Sequence, residues 1–211
     1  MITNRIERID TVSLVTEKLR EIILNNEISP NMKLDPDDIS IKFGVSKMPV
    51  REAIRNLEGE ELVYSISHKG WFVSPMSYQA IREITDIREL NEGYATRRAV
   101  LNIDDECMKK LSALLDNMDA CQEDMTKFSK IHREFHFTIY ENARMPILMK
   151  TLEKFWNQSE RYRRSAFSKR IDPAKAEHER ILEAIAEKNA DKAEELMKQH
   201  LEGTIKRIVI P

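Results

Sequence analysis

The chain has 211 residues, 33% charged and 41% hydrophobic, with a formal net charge of −2. That length suits one large domain or two small ones, the apolar runs are too short to cross a bilayer, and the overall charge gives no sign of a polyanionic partner. The opening MITNRIERID carries charges where an export signal needs an apolar stretch, and Cys107 and Cys121 lack CxxC spacing, so a cytoplasmic chain with free thiols is expected.

Val12, Val15, Leu19, Ile22 and Ile23 recur at helical spacing and predict a first amphipathic helix. Asp35-Pro36-Asp37-Asp38 predicts the start of a second: a capping acid, proline at the first helical position, then acids against the positive end of the dipole. It should end near Gly44. A third helix then begins at Ser46, a favourable N-cap. Pro49 falls in its first turn, where the backbone N–H groups have no intrahelical partner, so the proline breaks nothing. Val50, Ala53, Ile54 and Leu57 form its inward stripe, while Lys47, Arg51 and Arg55 recur every four residues on a different face.

LVYSISHKGWFVSP alternates and turns at His68-Lys69-Gly70, which predicts a two-stranded hairpin. From Ser77 onward the pattern is helical, with six helices over roughly 77–103, 105–122, 126–142, 146–169, 173–188 and 190–208. The Ser74-Pro75-Met76 step marks a boundary. The expectation is a mainly α chain: a winged helix-turn-helix domain over 1–75 and an all-helical, six-helix bundle over 76–211.

Two short helices joined by a tight turn and followed by a hairpin is the winged helix-turn-helix pattern, whose second helix enters the DNA major groove by its N-terminal end. Residues 1–75 hold ten Lys+Arg against twelve Asp+Glu, yet residues 42–55 hold four cations and one acid. Basic charge is therefore concentrated where a groove-reading surface belongs. Arg51 or Arg55 could bond a guanine edge with both guanidinium arms, and Lys47 could reach guanine or phosphate. Cations at this spacing also make an ordinary solvated helix face.

GVSKMPVREAIRNLEGEELV followed by SHKGWFV resembles the GntR family of bacterial transcription regulators, with the PVREA core, its flanking helices and the wing in order. The resemblance implies DNA contact by Ser46, Lys47, Met48, Arg51, Arg55, Lys69 and Gly70. Lys47 and Met48 stand where Arg and Thr are common, which bears on the operator sequence and not on the fold.

Four of the five histidines lie in the helical part. His132 and His136, in HREFH, are one turn apart on one face. His178 shares a face with Ile181, Leu182 and Ile185, and His200 with Ala193, Leu196 and Met197. Four imidazoles on inward faces need four sets of hydrogen-bond partners, and a metal ion satisfies them together. Imidazole suits Zn, Ni, Cu or Fe. HREFH is not the HExxH of zinc peptidases: Arg133 stands where the general base belongs, so catalysis is not expected.

FH at 135–136, the later EH at 177–178 and HL at 200–201 resemble the all-helical FCD effector domain of the FadR-like branch of the same family, in its shorter, VanR-like form. The resemblance implies a divalent metal on His136, His178 and His200; by ligand type, Zn or Ni stands ahead of Mn or Fe. His132 stands where the family usually has Asp or Asn, and would be the fourth ligand. Arg88 matches an arginine of many relatives and is the candidate for a small carboxylate effector; a surface ion pair is its plainer explanation. Arg161, Arg163 and Arg164 suggest an anion cluster or, more simply, a solvated face. The reading as a whole is a ligand-responsive regulator, homodimeric on palindromic double-stranded operator DNA, with an organic or sugar acid bound beside the metal. A direct metal sensor and a helical metalloenzyme are its rivals.

Overall fold

The computed structural model describes residues 11–121, 124–166 and 175–208. The expected helix ends at 122, 167–169 and 173–174, and the opening MITNRIERID, lie outside them. Two compact units emerge, one that runs to Ser77 and takes in Glu160–Ser165, and a second that starts at Tyr78.

In the first unit, α1 (Thr11–Leu24) buries Val15, Leu19 and Ile23, the every-fourth-residue stripe its sequence predicts. Next, α2 (Pro36–Phe43) begins as expected: the Asp35 side chain accepts a hydrogen bond from the Asp37 N–H at 2.9 Å. It ends at Gly44, whose φ of 66° is the left-handed closure that glycine adopts without steric cost. In α3 (Lys47–Gly59), Pro49 is the third helical residue and is buried along with Val50, Ala53, Ile54 and Leu57. Ser46 holds the N-cap position, but its hydroxyl makes no capping bond.

The expected hairpin is present as β2 (Val63–Ile66) and β3 (Gly70–Val73), with Ser65 opposite Trp71. It belongs to a three-stranded antiparallel sheet of order β1-β3-β2, because β1 (Lys33–Leu34) pairs Lys33 with Phe72 and Leu34 with Trp71. Two residues are too few to carry an alternation signal, so this strand was not legible. The guanidinium of Arg20 on α1 grips both oxygens of Glu60, just past α3, at 2.9 and 2.6 Å.

The second unit is built from α4 (Tyr78–Ala99), α5 (Asp105–Asp119), α6 (Met125–Glu141), α7 (Pro146–Ala166) apart from Glu160–Ser165, α8 (Lys175–Ala186) and α9 (Ala190–Ile208). Asp104 and Asp124 cap α5 and α6 through their side chains, as charge at a helix N-terminus favours. Phe135, Ile139, Tyr140, Ile181, Ile185 and Met197 are buried at the centre. α4 lies along α9. Gly93 allows that approach: a Cβ there would stand 2.7 Å from Cε of Lys198.

Candidate functional site

The surface of α3 divides as its periodicity requires. Ser46, Lys47, Met48, Arg51 and Arg55 are all exposed, and Met48 keeps 69% of its surface in solvent. Lys47 is engaged in an exposed pair with Asp37 of α2, at 2.8 Å. Such a pair is worth little against water and gives way easily to a stronger anion. At the wing tip, Lys69 is exposed and Gly70 is half-buried, with a φ of 103° that turns the chain into β3. The head therefore holds a helix N-terminus, an exposed row of cations and a basic hairpin tip, the components of a groove reader with phosphate contacts.

In the second unit, α6 supplies His132 and His136, α8 His178 and α9 His200. All four are buried, with exposures of 8%, 0%, 2% and 2%. Each offers one ring nitrogen, and these four atoms lie within 4.8 Å of one another. Nε2 of His136 is 3.2 Å from Nε2 of His178. A metal with bonds of about 2.0–2.1 Å spaces neighbouring ligand atoms by roughly 3–3.4 Å, and opposite ones by about 4.2 Å. The set spans slightly more than that, so the four rings could hold such an ion after closing in on it by a few tenths of an ångström. Phe135, Trp156 and Tyr140 pack against the rings.

Two groups hold the histidines from behind. Nδ1 of His200 lies 2.7 Å from Oε2 of Glu177. Nδ1 of His136 lies 2.9 Å from the Tyr140 hydroxyl, which donates its proton to Glu92 at 2.5 Å. Burial, reinforced by the charge of Glu92, pushes the Tyr140 phenol well above its ordinary range, so it keeps that proton.

Glu92 is fully buried and is also the partner of Arg88. Nε of Arg88 is 2.6 Å from one of its oxygens and Nη2 is 3.3 Å from the other. The same guanidinium donates to the Ser159 hydroxyl at 2.9 Å and lies over Trp156, 5.0 Å from the ring centroid. The plainer explanation of Arg88, a surface ion pair, is thus corrected: the pair is buried, and it joins the network behind His136. The solvated-face explanation of the later arginines also fails. Arg161 and Arg163 are buried, and Arg163 and Arg164 both pair with the buried Glu160 of their own helix.

The pattern of the FCD domain matches residues 83–203, more than half of the chain, and that of the bacterial regulatory proteins of the gntR family matches residues 11–73. The chain belongs to the GntR family. Among its relatives is the HTH-type transcriptional repressor GlaR of Escherichia coli, 26% identical over 195 residues, which span 87% of this chain and 89% of GlaR. RspR, another HTH-type transcriptional repressor of E. coli, is 27% identical over 188 residues, 87% of this chain and 82% of RspR. The solved structure of E. coli McbR/YncC has the same fold, with a TM-score of 0.82 over 95% of this chain and 98% of that one, at 22% identity. These relatives are named as transcription regulators and not as enzymes, and the chain is accordingly a DNA-binding regulator with an FCD effector domain. FCD domains often hold metal, and the histidine cluster is a set that could do so here.

Sequence reasoning missed Glu92, Tyr140 and Glu177. Each had a faint signal by position: Tyr140 is one turn beyond His136, Glu92 one turn beyond Arg88, and Glu177 adjoins His178. No helix of the described residues is long and apolar enough to cross a membrane.

Proposed function

We propose that this GntR-family chain works as a homodimer on palindromic double-stranded operator DNA, and that a small organic or sugar acid, bound beside a divalent metal, changes that binding. The division of labour is between residues 1–75, for DNA, and 76–211, for metal, effector and self-association. In the head, α3 enters the major groove, Arg51 and Arg55 read base edges, Ser46, Lys47 and Met48 frame its N-terminal end, and Lys69 and Gly70 of the wing touch the flanking backbone. A dimer follows from the way helix-turn-helix heads read two half-sites.

The observation that carries the sensing half is the convergence of four buried imidazoles within 4.8 Å. His132, His136, His178 and His200 are the proposed ligands, with Zn or Ni ahead of Mn or Fe. Four neutral donors leave the full charge of the ion in place, which favours an anionic effector. Arg88 is the proposed cation for its carboxylate. To serve, it must exchange Glu92 or Ser159 for the incoming acid, since both hold it in this structure.

That engagement also favours the second reading, in which the metal itself is the signal. Operator gel shifts separate the two. Metal-loaded and chelated protein should bind operator alike in the main reading, until organic acids are added one by one. In the second reading, chelation by itself changes the affinity. Wild-type protein that takes up no metal from Zn, Ni or Mn excludes both. Chromatography with light scattering tests the dimer.

A further inference from the structure

The inference here rests on the reading of the histidine cluster as a metal site and concerns residues outside it. An imidazole ligates only through a nitrogen that carries a lone pair, so each ligand must be held in one tautomer. In this chain the tautomer follows from the chemistry of the groups behind the rings. A carboxylate accepts hydrogen bonds and cannot donate them. Glu177, at 2.7 Å from Nδ1 of His200, therefore needs a proton on that nitrogen. Tyr140 has one proton, and Glu92 takes it at 2.5 Å. Toward His136 the phenol oxygen can then only accept, so Nδ1 of His136, 2.9 Å away, must also carry a proton. In both rings Nε2 keeps its lone pair. In His136 this atom is the one that faces His178, at 3.2 Å.

We propose that Glu177, and Glu92 acting through Tyr140, are the positioning residues of the cluster: they set His200 and His136 as Nδ1–H tautomers before any metal arrives. Each arm ends on a different helix pair. Glu177 on α8 sets a ring on α9, and Glu92 on α4 sets a ring on α6 by way of Tyr140. Four neutral imidazoles bring no negative charge to a buried dication. A carboxylate hydrogen-bonded to the far side of a ligating ring raises its basicity and offsets part of that charge. Arg88 orients Glu92, with both its oxygens engaged.

The test has two parts. Long-range proton–nitrogen spectra of metal-free, 15N-labelled wild-type protein should show His136 and His200 protonated at Nδ1. Titration with Zn2+ alone, against a chromophoric chelator, should then show Glu177→Gln and Tyr140→Phe each weakening the metal by about 10–100-fold. Glu177 keeps about a third of its side chain exposed, so its variant should fold as the wild type does and covers the case in which Tyr140→Phe does not. Wild-type tautomers protonated at Nε2, or either folded variant binding Zn2+ as tightly as wild type, overturn the proposal. Wild-type protein that takes up no Zn2+ overturns instead the metal reading beneath it, and the spectra still decide which nitrogen carries the proton.

Discussion

The exposed face of α3, proposed to read DNA, and the buried side of α4 use the same residue types under opposite conditions. Arg51 and Arg55 are exposed, and the nearby Lys47 meets an acid that is itself in water. Arg88 is 8% exposed and is held by a carboxylate with no exposure at all. A charge in water costs the fold almost nothing and can be spent on a partner. A charge in the core is bound to its neighbours by the cost of leaving any of them unpaired. The two regions should therefore answer mutation in different currencies, affinity for one and stability for the other.

The largest effect is expected at Glu92. Glu92→Ala leaves the Arg88 guanidinium buried without its carboxylate and should cost about 3–5 kcal/mol in chemical denaturation. A loss below about 1 kcal/mol would put Arg88 on the same footing as the α3 cations and erase the contrast. Glu160 gives a second case, with a pH signature. Burial raises its carboxyl, but Arg163 and Arg164 outweigh burial and hold it below the ordinary range. A carboxyl lowered in the folded state stabilises above its unfolded pKa, about 4.3, and that contribution is lost as pH falls through the folded value. Glu160→Gln should accordingly be the less stable protein near neutral pH, by about 3–5 kcal/mol. The gap to wild type should narrow in acid, as melts from pH 7 to pH 3 would show.

On α3 the expected sign of the evidence reverses. Arg51→Ala should weaken operator binding by about 1–3 kcal/mol if its guanidinium reads a base. The same change should leave stability within about 0.5 kcal/mol, as an exposed position allows. Unchanged operator affinity in both Arg51→Ala and Arg55→Ala would remove α3 as the reader. The smallest effect is expected at Lys47. Lys47→Ala should shift stability by less than about 1 kcal/mol, because its pair with Asp37 is exposed. In salt titrations of operator binding it should lower the slope by about one if it contacts phosphate.

What the sequence disclosed divides along the same line. The helices of the head were legible because their signals are local: a capping acid before Pro36, a glycine at 44, apolar residues every third or fourth position. The histidine cluster was legible because His178 and His200 share faces with apolar neighbours, His132 and His136 lie one turn apart, and the FH, EH and HL motifs resemble those of FCD domains. What faces a ring from another helix is set by packing. Nothing near Tyr140 in sequence says that its hydroxyl meets Glu92, 48 residues away. Arg88 looks like a surface cation in sequence because Glu92 and Asp86 flank it, and an acid one turn along is the commonest surface pattern. The burial of Arg163 was hidden for the same reason.

The short strand β1 has a mechanical meaning. β3 is the middle strand of its sheet, held by β2 on one side and by β1 on the other, and the chain just before β1 reinforces the clamp: the Asn31 N–H reaches the Val73 carbonyl, and the Val73 N–H the Met32 carbonyl, both at 2.9 Å. The wing is thus a cantilever, rigid at its root, with the exposed Ser67, His68 and Lys69 at the overhang. If the tip touches operator DNA as proposed, exchanges there alter what the lever meets without loosening its mounting, and operator preference can drift while the fold is conserved. A deletion between Ile28 and Asp35 would work in the opposite way, leaving every tip residue in place and tilting the arm that carries them.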